Sequence, residues 1–524
     1  MDVLLAAVVG ELTTRSINFL IRNCLKPTAP DVEDRLRRIL LRAEVIVEEA
    51  MGRQITNQAM LQQLDVLREA MHRGHYILDT FSYESRSKEE EEEEEEEEEA
   101  RGHGASKVNP LQGLCSSPSS RNRNTRILEQ MRKSVDHLGS LIRDVQELVV
   151  FLTGYPRIIL HRQPYSMHLL LSNCMFCRQM ETELVVDFLL LRARADHAPE
   201  RRLDVLPIVG PRKVGKSTLV AHACRDERVR GRFSQILFLR DRGGFTGHDD
   251  LAKFREGCET EHLQSLVPGS NDRDGGRFLL VLELAGDLDE DSWGGFYSAC
   301  TRHLPSGSKI IVTSQSDTIM KFGTTTTTQA LRVKFLSHEA YWYFFKTLAF
   351  GSTDPKTRPR LARLAMEVAE MTHPCLIGAT MFARLLRDSS SDIRVWYKVL
   401  RFLREQRKEN ASRFGGHPFD LVNQRRPAYI GRMASPSEYA VFYDEQQCSS
   451  QEGVPEISAH DVMFGRVKAH GKFKVLGWRS HIPPYLSYVV ETVTIPCKIQ
   501  KVQMILSLVT GSGAGPIPTM WRPN

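Results

Sequence analysis

Residues 203–220 constrain this chain more than any other stretch. Val205, Leu206, Ile208 and Val209 form a short apolar run. Gly210-Pro-Arg-Lys-Val-Gly215-Lys216-Ser217 follows, and Ser217 to Cys224 continues with helical character. The eight residues fit the pattern G-x-x-x-x-G-K-[ST], set between a buried strand and a helix. In such a loop the backbone N–H groups turn inward around phosphate oxygens, where a side chain in place of glycine would obstruct them. Lys216 would reach the β- and γ-phosphates, the Ser217 hydroxyl would take a place on Mg²⁺, and the helix would aim its N-terminal dipole at the anion. From average residue usage, the four fixed positions arise by chance in a chain of this length at roughly the few-per-cent level. With a strand before and a helix after, nucleotide binding is the better reading.

The chain has 524 residues, room for about three or four domains. Hydrophobic content of 41% and 26% charged residues are those of an ordinary globular protein. Net charge is +5 although Glu89–Glu99 is an unbroken glutamate run, so the remainder is distinctly basic. The Lys and Arg residues are scattered, which is ordinary surface charge and no specific sign of nucleic acid. Ten cysteines without a dense framework fit a reducing, cytoplasmic setting. Cys174 and Cys177 form a lone pair with no second pair or histidines at ligand spacing, so no zinc site is read there. No apolar run approaches the roughly 18 residues of a membrane span. The N-terminus carries Glu11 and lacks a basic leader, which argues against a secretory signal. Leu4, Leu5, Val8, Val9 and Leu12 make an apolar face that could lie on a membrane, but stripes of this kind are usually core.

Taken in order, the pattern predicts a multidomain α and α/β chain. Residues 1–83 read as a helical bundle: Val32, Leu36, Ile39, Leu40, Ala43, Ile46, Val47 and Ala50 share one face, closed by Gly52. Residues 84–124 hold the glutamate run and a low-complexity stretch, for which a disordered linker is expected. Residues 125–153 return to helical spacing, with Ile127, Leu128, Met131, Val135, Leu138, Leu141, Ile142, Val145, Leu148, Val149 and Leu152, and read as a further helix of the first domain. Residues 168–333 read as a P-loop domain with a parallel sheet. Its strands are Gln235–Leu239, Arg277–Glu283, Lys309–Ser314 and Ala330–Val333, the middle two almost wholly apolar. Residues 334–410 read as a small helical domain. Residues 411–500 read as β-rich, with Met463–Trp478 and Tyr485–Ile495 as short antiparallel strands, and 501–524 as a disordered tail.

Hydrolysis of a nucleotide needs a carboxylate at a neighbouring strand end for Mg²⁺ and a second group to orient the attacking water. Glu283 stands at such a strand end as a degenerate metal-site acid. Leu284 comes next and can neither accept a proton nor orient water. Asp287, Asp289, Glu290 and Asp291 follow, and Asp287 could substitute only on a different loop path. The site reads as able to hold a nucleotide and poorly equipped to cleave it, so no catalytic residue is assigned with assurance.

GPRKVGKST, RFLLVLELAGDLDEDSW, GSKIIVTSQS and Thr372-His-Pro-Cys-Leu376, in this order, resemble the motifs of the NB-ARC domain of plant NLR disease-resistance proteins. The helical start resembles their Rx-type coiled-coil domain, with Leu67-Arg-Glu-Ala-Met-His-Arg-Gly-His-Tyr-Ile-Leu-Asp-Thr-Phe81 at its signature helix. The stretch from Arg466 to Tyr485 resembles grass members of the group. Most of residues 1–500 is covered, the nucleotide domain most specifically, with an ARC-like domain over 334–410. The resemblance implies an ADP/ATP-gated switch acting in defence through other coiled-coil or NLR proteins. It implies that Gly210, Lys213, Val214, Gly215, Lys216, Ser217 and Thr218 hold phosphates and, through Ser217 and Glu283, Mg²⁺. Phe176, Cys177 and Arg178 would lie near the adenine and ribose, and Pro374 near the base. This sequence departs from the family at several points. Leu284 replaces the second acid, Gln315 stands at the γ-phosphate-sensing arginine, and Cys177 stands at a usual glycine. His460-Asp461, in a strand-like context, reads as a chance match to Met-His-Asp. No leucine-rich repeat period occurs, so the chain reads as a truncated relative. Two other classes stay open: a nucleotide-independent coiled-coil adaptor or decoy, and an active NTPase using an acid such as Asp287.

Overall fold

The structure is a computed structural model. It describes residues 29–101, 118–157, 175–191, 202–229, 231–241, 258–263, 276–323, 330–390, 392–431, 438–448, 454–464, 466–467, 471–482 and 485–496. The apolar face Leu4–Leu12, Cys174 and the expected tail 501–524 lie outside the described residues. The chain divides into two compact units, residues 1–54 with 63–158, and residues 55–62 with 159–524.

The first unit contains α1 (Ala29–Met51), most of α2 (Gln58–Arg101), α3 (Pro118–Asp144) and α4 (Gln146–Leu152). The stripes at helical spacing bury one another: Leu36, Leu40 and Ala43 of α1 share a core with Leu67 and Met71 of α2 and Met131 and Leu138 of α3. Gly74 marks the closest approach, since a Cβ there would lie 2.8 Å from Leu40 and 3.2 Å from Leu138. In contrast to the expected linker, α2 continues through the glutamate run to Arg101, and α3 already begins at Pro118. Glutamate has high intrinsic helix propensity, and a helix already nucleated by its packed half propagates at low cost.

The second unit is built on a sheet of order β3-β2-β4-β5-β1-β6. Its strands are β1 (Asp204–Val209), β2 (Gln235–Asp241), β3 (Cys258–Leu263), β4 (Phe278–Glu283), β5 (Lys309–Ser314) and β6 (Leu331–Arg332). All neighbours are parallel except β3, an edge strand antiparallel to β2 that the sequence pattern did not suggest. Alternate residues face opposite cores. Leu206, Ile208, Leu279, Val281 and Ile311 pack on α5 (Gln179–Leu190) and α6 (Lys216–Arg225). Val205, Val209, Leu280, Leu282, Ile310 and Val312 pack with α7 (Glu290–His303). With both faces covered, the strands need no polar alternation, which is why they read as continuous apolar runs.

The helical part comprises α8 (His338–Phe350), α9 (Pro359–Thr372), α10 (Leu376–Asp388) and α11 (Ile393–Phe414), with Trp342, Phe345, Val368 and Trp396 buried. After α12 (Pro418–Asn423), an antiparallel sheet of order β7-β8-β10-β9 forms from β7 (Ala428–Gly431), β8 (Glu438–Cys448), β9 (Lys472–Arg479) and β10 (Ser487–Pro496). Two hydrogen bonds fasten it to α11: buried Asn410 donates from Nδ2 to the Tyr429 carbonyl and accepts from the Tyr429 N–H, both at 2.8 Å. The β-rich expectation holds, with one local correction. His460 and Asp461 lie in a short helix, α13 (Ala459–Met463), not in a strand-like segment. Ser458 and Asp461 cap it reciprocally, and this local bonding overrides the β-like composition around it.

Candidate nucleotide site

The register of the parallel sheet sets three strand ends side by side. Val209 of β1 pairs with Ser314 of β5, and Thr313 of β5 pairs with Glu283 of β4. The Gly210–Ser217 loop, Glu283-Leu284 and Gln315 therefore meet at the carboxyl edge of the sheet, where open α/β sheets place their ligands. Gly210 is required by contact: a Cβ on it would lie 2.3 Å from the Val333 carbonyl oxygen. Gly215 is required by conformation, with φ at +100° immediately before α6.

A cavity of about 780 Å³ opens at this edge. It brings together Lys213, Gly215, Lys216, Ser217, Thr218, Glu283, Leu284 and Gln315 from the sequence reading, and adds Arg212 of the same loop. Lys216 donates from Nζ to the carbonyls of Gly210 at 2.6 Å and Pro211 at 2.8 Å. Burial holds its ammonium down to about 8, partly offset by Glu283. Glu283 accepts from Arg240 Nε at 2.7 Å through Oε2, while its buried Oε1 has no hydrogen-bond partner. An unpaired carboxylate oxygen beside Ser217, Thr218 and a lysine fits a phosphate-bound Mg²⁺, which Ser217 and Glu283 would hold. That ion would supply positive charge against the phosphates.

Leu284 is buried at the strand end, its N–H tied to the Thr313 carbonyl at 2.9 Å. Asp287 is exposed and does not line the cavity. Val214 is buried in the sheet core, so it can offer a ligand only its backbone. Arg178 and Pro374 do not line the cavity either. Buried Arg178 donates to Glu181 Oε1 at 2.7 Å and to the Lys334 carbonyl, while neighbouring Phe176 stacks on Tyr343 at 6.1 Å. Pro374 follows His373 through a cis peptide bond, close to Tyr341, whose ring meets His373 edge-on at 5.0 Å.

The sequence reading missed the opposite wall. β8 and β10 supply Asp444, Glu445 and Tyr488, and the turn after α12 supplies Arg425. The cavity wall thus carries five cationic side chains, Arg212, Lys213, Lys216, Arg240 and Arg425, against the carboxylates of Glu283, Asp444 and Glu445. Glu445 accepts from Lys213 Nζ at 2.7 Å and lies 3.6 Å from Arg212. Arg212 also donates to the Asn423 carbonyl at 3.2 Å, and burial lowers its pKa against the opposing pull of Glu445. The Tyr488 hydroxyl is raised from its usual range by burial first and by Glu445 and Glu283 second, so it stays protonated.

No family model matches the chain. Curated relatives do, and they are plant proteins. The disease resistance protein RGA2 of Solanum bulbocastanum is 25% identical over 218 residues, 38% of this chain and 21% of its own. The disease resistance RPP13-like protein 4 of Arabidopsis thaliana is 20% identical over 230 residues, 41% of this chain and 26% of its own. The RPP13-like protein 1 of the same plant is 22% identical over 376 residues, 70% of this chain and 34% of its own. The chain is thus similar to plant disease-resistance proteins of the NLR type, as its motif order implied, and it spans about a third or less of the length of these relatives. Among the described residues no helix is long and apolar enough to cross a membrane.

Proposed function

We propose that the chain binds ADP or ATP, with Mg²⁺, at the Gly210–Thr218 loop and acts as a nucleotide-dependent switch or regulator in plant defence. The observation that carries this is the complete loop, with Lys216 and Ser217 on a cavity at the sheet edge, beside Leu284, which can neither accept a proton nor orient water, and Gln315, which carries no positive charge. Glu283 is paired with Arg240 and has one oxygen left for a metal, which suits holding charge better than activating water. Binding with weak or no turnover follows. The relatives' names support the defence role; a cytoplasmic setting and coiled-coil or NLR partners belong to the same proposal.

The test is the nucleotide content of the protein as isolated, released by denaturation and separated by chromatography. Adenine nucleotide at substantial occupancy, lost in Lys216→Ala, is the expected result. Protein that carries none, and that neither binds added ADP nor changes in thermal stability with it, overturns the reading. Multiple-turnover phosphate release that disappears in Asp287→Ala would move the chain to the active NTPase class instead.

A further inference from the structure

The C-terminal sheet meets the loop through a short ion pair, and that pair has two unusual members. Lys213 belongs to the phosphate loop and is a non-glycine residue at φ +59°, a conformation that L side chains adopt at a cost. Its side chain is only 9% exposed, its ammonium is 2.7 Å from Glu445, and it lies 5.9 Å from the centre of the Tyr488 ring. Glu445 is equally buried at 8%, and its second oxygen, Oε2, makes no hydrogen bond. The strand presenting it is irregular. Glu491 of β10 pairs with Asp444 but Thr492 pairs with Phe442, so Tyr443 is an extra residue two positions before Glu445. Bulges of this kind re-aim side chains and recur beside functional sites.

We propose that Glu445 is a tethered competitor for phosphate charge, so that the carboxylate on Lys213 and a nucleotide's phosphates exclude one another. Arg212 and Lys213 are loop cations, yet both point to the sheet, where they share the single charge of Glu445. The cavity wall has two more cations than carboxylates. A metal-free di- or triphosphate brings more negative charge than that surplus balances, and a buried carboxylate facing it is repelled; Mg²⁺ on the phosphates would cancel about two of those charges and weaken the repulsion. Occupancy of the loop therefore loosens β8 and β10 from it, and anything that peels the sheet away frees two cations for phosphate. The proposal rests on the loop being the nucleotide site and names the control of that site.

The experiment measures ADP affinity by calorimetry for the full chain, Glu445→Gln, Lys216→Ala and Lys213→Gly, with and without Mg²⁺. Hydrogen exchange of residues 438–448 is followed in the same samples. Glu445→Gln keeps shape and removes charge, so it should bind ADP about tenfold more tightly without Mg²⁺ and more tightly by a smaller factor with it. ADP should accelerate exchange of 438–448 in the wild type. Without nucleotide, Lys213→Gly and Glu445→Gln should already exchange faster there, a readout that does not need tighter binding. Equal affinity of Glu445→Gln and wild type, with both sensitive to Lys216→Ala, overturns the competition while leaving the site intact. Weaker binding of Glu445→Gln only when Mg²⁺ is present makes Glu445 a metal ligand and also overturns it. Failure of every variant and the wild type to bind ADP overturns the site reading and the competition with it.

Discussion

Gly210→Ala tests the geometry on which the whole site depends. The added Cβ would sit 2.3 Å from the Val333 carbonyl oxygen, far inside the 3.0 Å that real Cβ contacts respect. The obstacle is backbone, and it is pinned: the Val333 N–H donates to the Val209 carbonyl at 2.8 Å, and the Gly210 N–H donates to the Ser314 carbonyl at 3.1 Å. Relief requires either breaking one of these pairings, which hold β1 to its neighbours on either side, or moving the Gly210–Ser217 loop as a body. Overpacking of a tight site costs about 1–3 kcal/mol, and an unyielding backbone contact belongs at the upper end. For a domain of 150–250 residues each kcal/mol lowers Tm by roughly 2–4 °C, so a fall of about 4–10 °C is expected. The two compact units can unfold separately, so the measurement should follow a signal from the second unit, such as buried Trp342 fluorescence. Gly286→Ala is the internal control: it lies on the same edge, yet a Cβ there meets nothing within 4 Å. A Gly210→Ala protein that unfolds with its Gly286→Ala counterpart would refute the close approach of loop and β6, and with it the placement of the loop.

Four further outcomes follow from the same geometry. ADP affinity should fall as pH rises through about 8, because burial lowers Lys216 to that value and phosphates bind its charged form; affinity flat from pH 7 to 9.5 by calorimetry would contradict it. The same shift gives stability a rise with pH between about 8 and the unfolded value of 10.5, where the unfolded chain binds the extra proton, and no slope from Lys216 below that window. Glu283→Gln leaves Arg240 facing a neutral amide in a nearly buried pair and should cost about 1–3 kcal/mol in denaturant unfolding; an unchanged midpoint would show that the pair is not formed. Asn410→Ala removes both bonds to Tyr429 at a fully buried position and should cost about 2–3 kcal/mol, with faster hydrogen exchange in β7 as the local sign.

What the sequence reveals depends on where each residue's partners lie. β1, β4 and β5 are legible because both their faces are buried, so nearly every side chain between Val205 and Val209 or Leu279 and Leu282 is apolar. The loop is legible because its backbone geometry demands glycine at fixed positions, Gly210 by contact and Gly215 by its φ of +100°. β3 is not: Cys258-Glu-Thr-Glu-His-Leu263 pairs on one side only and has the composition of a surface turn. The glutamate run misled for a related reason, since charge repulsion argues for disorder while the helix is nucleated by packing upstream.

The far wall of the cavity was out of reach for a stronger reason. Glu445 sits in Asp444-Glu-Gln-Gln447, which has the composition of solvent-facing strand, and only the approach of loop and sheet makes it a site residue. Arg212 reaches a carbonyl 211 positions away in the chain, a contact no local pattern encodes. Lys213 shows the same limit. Its φ of +59° is one that glycine would adopt without strain, yet the position carries lysine, whose ammonium lies 2.7 Å from the buried carboxylate of Glu445. Both the conformation and the partner are set by the fold, so neither is written in the residues around Lys213, and the pair makes the loop a point of contact with the C-terminal sheet.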